Sequence, residues 1–162
     1  MSLPTRVMGI DTGIAIVGWS VIEKNPKFAN KPKLIGYGAI TTDSKQPTNE
    51  RLAVIYKELT EKIEEYNPHV VAVESLFYFK NQKTVIGVSQ ARGVILLASE
   101  HSGRPTFDYT PLQVKTAVTG YGRADKQQVQ KMVKLIYGLA EVPKPDDVAD
   151  AIAVATCHIN SH

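Results

Sequence analysis

Residues Arg6–Glu23 read RVMGIDTGIAIVGWSVIE, and the reading of this stretch decides the fold. Arg6–Thr12 is a short apolar strand ending in Asp-Thr-Gly. The Thr12-Gly13 corner supplies a turn, and Ala15–Glu23 returns as a second strand. A polar loop with two prolines follows, Asn25–Lys33, and Leu34–Thr41 alternates as a third strand. Three strands joined in this way form an antiparallel meander.

Beyond the meander the period changes. Thr48 is placed to cap a helix in which Leu52, Ile55, Leu59, Ile63 and Tyr66 recur at helical spacing, and Asn67-Pro68 ends it. Val70–Val73 is a compact apolar run of the kind buried on both faces of a sheet, and Glu74 follows it directly. Thr84–Ser99 reads as a largely apolar helix whose Gly87, Ala91 and Gly93 permit close packing. Thr106–Tyr109 is a fifth strand and Pro111–Val118 a short helix. Asp125 and Gln128 form a capping box before Val129, Met132, Val133 and Ile136, and a last helix starts near Asp146. The order βββαβαβ followed by helices predicts an α/β fold, a five-stranded mixed sheet flanked by helices on both faces. In such sheets sites gather at the carboxyl ends of parallel strands. Asp11 and Glu74 stand at the ends of the first and fourth strands.

Composition sets the outer bounds. At 162 residues the chain suits a single domain, 1–162, large enough to bury a core without a disulfide or structural metal. Its 43% hydrophobic and 22% charged residues are ordinary for a soluble protein, and no apolar run has the length of a membrane span. The single cysteine, Cys157, excludes an internal disulfide and fits a reducing compartment, so the expected setting is cytoplasmic. The net charge of +3 is uninformative until it is divided. If four of the 16 acids serve a metal site, 12 remain against 19 Lys and Arg, an excess of about 7 that favours a polyanion.

Four carboxylates carry the chemical argument. Asp11, taken alone, is equally a turn aspartate accepting a backbone N–H. Glu74 lies between Val70–Val73 and the apolar Ser75-Leu76-Phe77-Tyr78-Phe79, where a carboxylate calls for a specific partner such as a cation. Asp147 and Asp150, three apart, share one face of a helix. Asp146 and Asp147 have a local explanation as acids at a helix N-terminus. Asp150, beside the buried stripe Ala151-Ile152-Ala153-Val154-Ala155, has a weaker one. Hard oxygen donors select Mg²⁺ or Mn²⁺, and the chain offers no Cys/His cluster for zinc. Four carboxylates converging on two ions suit in-line displacement at a phosphodiester.

VMGIDTG (Val7–Gly13), VAVESLF (Val71–Phe77), QARGV (Gln90–Val94), Gln113-Val114-Lys115, DKQQV (Asp125–Val129) and DVADAIAVA (Asp147–Ala155) occur in the order found in the RuvC family. These are the bacterial Holliday-junction resolvases of the RNase H-like superfamily, and the resemblance runs from about Arg6 to about Ile159. It implies an RNase H-like fold and a homodimeric, metal-dependent endodeoxyribonuclease. Such an enzyme nicks two opposed strands of a four-way junction and leaves 5′-phosphate and 3′-hydroxyl ends. By that resemblance Asp11, Glu74, Asp147 and Asp150 match the metal-binding catalytic positions, served by two Mg²⁺ ions that Mn²⁺ can replace. Phe77 matches the aromatic that acts on bases near the crossover, and Lys115 and Lys126 match basic residues that assist catalysis or hold the scissile strand. Arg92 falls in QARGV as a structural or DNA backbone-contacting residue.

The implied partners are four-way junction DNA, a second copy of the chain through the helix around Thr84–Ser99, and the RuvA and RuvB branch-migration proteins. The implied setting is bacterial or phage-encoded. Thr12 stands where many family members have proline, Asp147 where some have histidine, and the Asn25–Lys33 loop is long for its hairpin. Three other readings compete. One is a related RNase H-like nuclease acting on other branched DNA or structured RNA. Another is an ATP-binding domain of the actin or sugar-kinase type, for which the chain is too short and lacks a second phosphate motif. The third is a non-catalytic junction-binding protein, against which all four carboxylates argue.

Overall fold

The structure is a computed structural model that describes residues 3–29, 31–75 and 82–162. Strands β1 (Thr5–Asp11), β2 (Ile16–Lys24) and β3 (Pro32–Thr41) form the antiparallel meander, and β4 (Val70–Glu74) and β5 (Thr106–Tyr109) extend it in parallel. The order across the sheet is β3-β2-β1-β4-β5. The central strand β1 is thus antiparallel to β2 and parallel to β4. The helices are α1 (Thr48–Tyr66), α2 (Gln82–His101), α3 (Pro111–Thr119), α4 (Lys126–Ile136) and α5 (Asp146–Ser161).

Strand alternation divides the core in two. Met8, Ile10, Val17, Trp19, Val21, Val71 and Val73 point to one face and pack with Ile55, Leu59 and Ile63 of α1 and Ala91 and Ile95 of α2. Val7, Ile22 and Ala72 point to the other, against Val148, Ile152 and Ala155 of α5. Helices α3 and α4 pack onto α5 through Val114, Val118, Val129 and Val133. Helix α5 is therefore enclosed by the sheet and two helices, and from Val148 to Ile159 every residue except Asp150 is buried.

Two glycines set how closely α5 lies on the sheet. A Cβ at Gly9 would fall 2.1 Å from the Ala151 carbonyl oxygen and 2.7 Å from the Ala155 Cβ. At Gly18 it would fall 2.0 Å from the Asp147 carbonyl oxygen. Both residues lie on the α5 face of the sheet, where any side chain would lift the helix. Ser20, next along that face of β2, donates its hydroxyl to the Ala151 carbonyl at 3.0 Å.

Several local expectations change. Pro47, not Thr48, caps α1, without a side-chain hydrogen bond, and Thr48 is the first helical residue. The Asn25–Lys33 segment is not wholly loop: Asn25 caps a 3-10 turn at Pro26–Phe28, and β3 already begins at Pro32. Helix α2 extends beyond Thr84–Ser99 at both ends. Its glycines differ in role: Gly87 abuts Ile14, whereas a Cβ on Gly93 would meet nothing within 4 Å. The expected capping box of Asp125 and Gln128 is present, and Thr110 and Gln113 form a second one at the start of α3.

Substituting Gly18→Ala should force α5 away from β2. Overpacking of this kind costs about 1–3 kcal/mol, or about 2–4 °C of melting temperature per kcal/mol for a chain of this size. A thermal melt checks it; an unchanged Tm would mean that the helix has room to move.

Candidate active site

Asp11 and Glu74 come together through strand register. Gly9 pairs with Ala72 and Ile10 with Val73 in the parallel β1–β4 ladder. Asp11 and Glu74 thus end neighbouring strands at the same level, on the face that α5 covers. Asp11 is also the Cα partner of Gly18 in the β1–β2 ladder. The carbonyl of Asp147 sits over Gly18, so the first turn of α5 starts beside Asp11. Asp147 and Asp150, one turn apart, complete the group.

The four carboxylates are linked electrostatically. Burial pushes the Asp11 carboxyl well above the usual range, and Asp150, Glu74 and Asp147 raise it further against the pull of Lys126. Burial also raises Glu74, with Asp150 adding to it and Lys115 and Lys126 opposing. Asp150 is raised by burial, then lowered by Lys126 and raised again by Asp147 and Asp146. Like charges held in a partly desolvated place favour protonation unless a cation lies among them. Neither the Asp11 nor the Glu74 side chain has a hydrogen bond or ion pair among the described residues. The Thr12 hydroxyl beside Asp11 is buried and likewise lacks a partner.

Among the described residues two lysines face this group. The Lys126 ammonium lies 3.6 Å from Asp150 Oδ2 and 3.6 Å from Asp146 Oδ2. Burial works to lower the pKa of Lys126, but Asp150 and Asp146 more than offset it, and the net shift is upward. Lys115, on α3, lines with Glu74, Lys126 and Asp150 a cavity of about 320 Å³ enclosed by Pro111, Val114, Val129 and Ala153. Lys115 is placed by the Thr110 capping box that starts α3, and Lys126 by the Asp125 capping box that starts α4.

The donor chemistry fits a hard divalent cation: carboxylate oxygens only, with the single thiol, Cys157, buried two turns further along α5. Among the described residues no three acidic, His or Cys side chains are already gathered as a closed ligand cluster.

Other sequence candidates fall elsewhere. Arg92 on α2 pairs with Asp108 of β5 at 2.6 Å and has one Nη buried without a partner. Asp108 is the register partner of Val73, on the α2 face of the sheet, so this pair ties α2 to β5 opposite the carboxylates. Phe77 lies outside the described residues. Asp146 and Asp147 do not cap α5, because the N-cap is Pro145 and no side chain bonds there. The local explanation for Asp147 therefore loses its capping part. Asp146, which the sequence explains as a helix-terminal acid, is ion-paired with Lys126 and Lys144. Its i, i+4 relation to Asp150 is the sequence signal that could have pointed to it.

Comparison with known proteins settles the family. The model of the crossover junction endodeoxyribonuclease RuvC family matches residues 7–158. The chain belongs to the RuvC family. It is 56% identical to the RuvC of Caldanaerobacter subterraneus subsp. tengcongensis over 97% of this chain and 93% of that protein. To the RuvC of Clostridioides difficile it is 54% identical, over 96% and 90%. The RuvC of Thermus thermophilus superposes with a TM-score of 0.87 at 36% identity, covering 96% of this chain and 94% of that one. The same RuvC in complex with Holliday junction substrate gives 0.87 at 36% identity, with 95% and 92% covered. The expected RNase H-like arrangement is thus the observed one. The yeast mitochondrial Holliday junction resolvase Ydc2, at 17% identity, shares the fold with a TM-score of 0.69.

The raised carboxylates have a consequence for the metal-free protein. A folded-state pKa above the unfolded value means that folded Asp11 binds a proton more readily than the unfolded chain does. Stability therefore falls as pH rises through that window, and the whole penalty persists above it. Asp11→Asn should raise the Tm of protein in EDTA by several degrees at pH 7.5, at about 2–4 °C per kcal/mol. The gain should vanish near pH 4, where the unfolded aspartate itself protonates. A Tm lowered at pH 7.5 would show that Asp11 is not under electrostatic strain.

Proposed function

We propose that this protein resolves Holliday junctions, as a structure-selective endodeoxyribonuclease that nicks two opposed strands symmetrically. The observation that carries this reading is the placement of Asp11 and Glu74 at neighbouring strand ends beside Asp147 and Asp150 at the start of α5, with Lys115 and Lys126 lining the cavity that Glu74 and Asp150 also line. The four carboxylates are read as ligands of two Mg²⁺ ions, which Mn²⁺ can replace. Bound divalent ions supply the charge that activates the attacking water and stabilises the departing 3′-oxygen. Water adds to phosphorus, the bond to the 3′-oxygen breaks, and the products are a 5′-phosphate and a 3′-hydroxyl.

The chain's own residues do the remaining work. Lys115 and Lys126 neutralise and orient the scissile strand from the side opposite the sheet, as positive charge does where negative charge accumulates in a transition state. Val114, Val129 and Ala153 give the cavity apolar walls that strengthen those interactions. Arg92 holds α2 to β5, and its structural role does not require DNA. Phe77, read from the family pattern, acts on the bases near the crossover.

The exposed side of α2 is the proposed homodimer surface. Ile86 and Leu97 are 67% and 48% exposed, and Gly93 between them is open. Two-fold symmetry then sets two active sites against the approximate two-fold symmetry of the junction. The physiological partners are RuvA and RuvB in a bacterial cytoplasm; among the described residues no helix is long and apolar enough to cross a membrane.

Mapping both nicks on a mobile four-way junction tests the activity. Paired symmetric nicks in Mg²⁺ are expected; scattered cuts, or preferred cleavage of structured RNA, would assign the alternative, a related nuclease for other branched substrates. Asp11→Asn and Glu74→Gln should each reduce cleavage by more than about 100-fold while junction binding survives in a gel shift. Full activity in either variant would remove that residue from the site. Leu97→Glu should shift the protein towards monomer in sedimentation and uncouple the two nicks. A dimer unaffected by it would place the interface elsewhere.

A further inference from the structure

Asp146 is not one of the four carboxylates, yet it is ion-paired with two lysines. Its Oδ2 lies 3.6 Å from the Lys126 ammonium and its Oδ1 3.5 Å from that of Lys144. Lys126 also stands 3.6 Å from Asp150 Oδ2. Asp146 and Asp150 are four residues apart on α5, so they present two carboxylates one above the other with a single ammonium between them. The ordinary role of an acid in a first helical turn, favouring the dipole, needs neither lysine. Here the side chain is instead the joint between the start of α4, the loop before α5 and the edge of the active site.

We propose that Asp146 is a positioning residue that holds Lys126 over the scissile strand and Lys144 beside it as a further phosphate contact. The proposal rests on the reading of Lys126 as a group acting on the DNA strand. Asp150 is shared: as a proposed ligand it would direct its charge to the cations of the site, and its hold on Lys126 would weaken. Asp146 keeps the ammonium in place when that happens. Lys126 and Lys144 remain 55% and 75% exposed in their side chains, so their ammonium groups can reach a phosphate without leaving the carboxylate. Once Asp150 is engaged by the cations of the site, Lys126 and Lys144 share the single charge of Asp146, and the excess positive charge suits a nucleic acid backbone. A lysine is a flexible point charge, and fixing it beforehand is what a partner carboxylate adds.

A double-mutant cycle tests this. Asp146→Asn should lower kcat on a four-way junction by on the order of 10-fold. KM and the binding constant in EDTA should be unchanged or slightly improved, because an acid near the DNA has been removed. In a Lys126→Ala background the same substitution should cost less than about 2-fold, since the two residues act through one ammonium. Asp146→Glu should recover part of the loss. Lys144→Ala should reduce the slope of log binding constant against log salt by roughly 1, and a thermal melt confirms that each variant is folded. An undiminished loss on the Lys126→Ala background, or wild-type kcat in Asp146→Asn while Lys126→Ala is impaired, would overturn the positioning role alone. An unaltered salt slope in Lys144→Ala would overturn its phosphate contact. Wild-type cleavage by Lys126→Ala would overturn both this proposal and the reading beneath it.

Discussion

Helix α5 can lie on β1 and β2 only because Gly9 and Gly18 present no side chain to it. The approach is close enough for the carbonyls of Ala151 and Asp147 to occupy the places where Cβ atoms would stand. This contact brings the N-terminus of an otherwise buried helix to the carboxyl end of the central strand. Asp11, at that strand end, is the register partner of Gly18, so the residue that admits the helix and the residue that meets its first acids are neighbours. A looser packing would leave the core nearly as apolar but would separate Asp147 and Asp150 from Asp11 and Glu74.

What the fold achieves is the confinement of like charge. Three of the four carboxylates are raised in pKa, burial being the largest cause in each, and each feels at least one of the others. Such an arrangement is unfavourable in isolation and becomes favourable when a cation of higher charge than lysine enters it. The surrounding design follows from that. Capping boxes start α3 and α4 so that Lys115 and Lys126 come off rigid helices, and apolar side chains wall the cavity between them. Negative charge thus gathers at the ends of β1 and β4 and the start of α5, and positive charge on α3 and α4 across from it.

Much of this was legible in the sequence, and for identifiable reasons. The short apolar run Arg6–Thr12 with its Thr12-Gly13 turn, the alternation of Leu34–Thr41, the compact Val70–Val73 run and the helical spacing in Leu52–Tyr66 are local patterns, and the observed elements follow them. Asp11 and Glu74 stood out because each ends a strand, although only the β1–β4 register shows that they end at the same level. Helix starts were harder. Thr48 and Asp146 look like caps, but proline precedes each and takes the N-cap position. The pairing of Arg92 with Asp108 and that of Asp146 with Lys126 and Lys144 depend on how α2 meets β5 and how the start of α4 meets α5. Those are contacts between elements, which no local period encodes. Gly9 and Gly18 are visible in the sequence, but their role appears only with α5 laid across them.

The most direct test of the central claim is the anomalous scattering of Mn²⁺ in crystals of the protein bound to a four-way junction. Two peaks per chain are expected, about 4 Å apart, coordinated by Asp11, Glu74, Asp147 and Asp150, with Asp146 turned to Lys126. Peaks remote from these carboxylates, or a site in which Asp146 replaces Asp147 as a ligand, would contradict it.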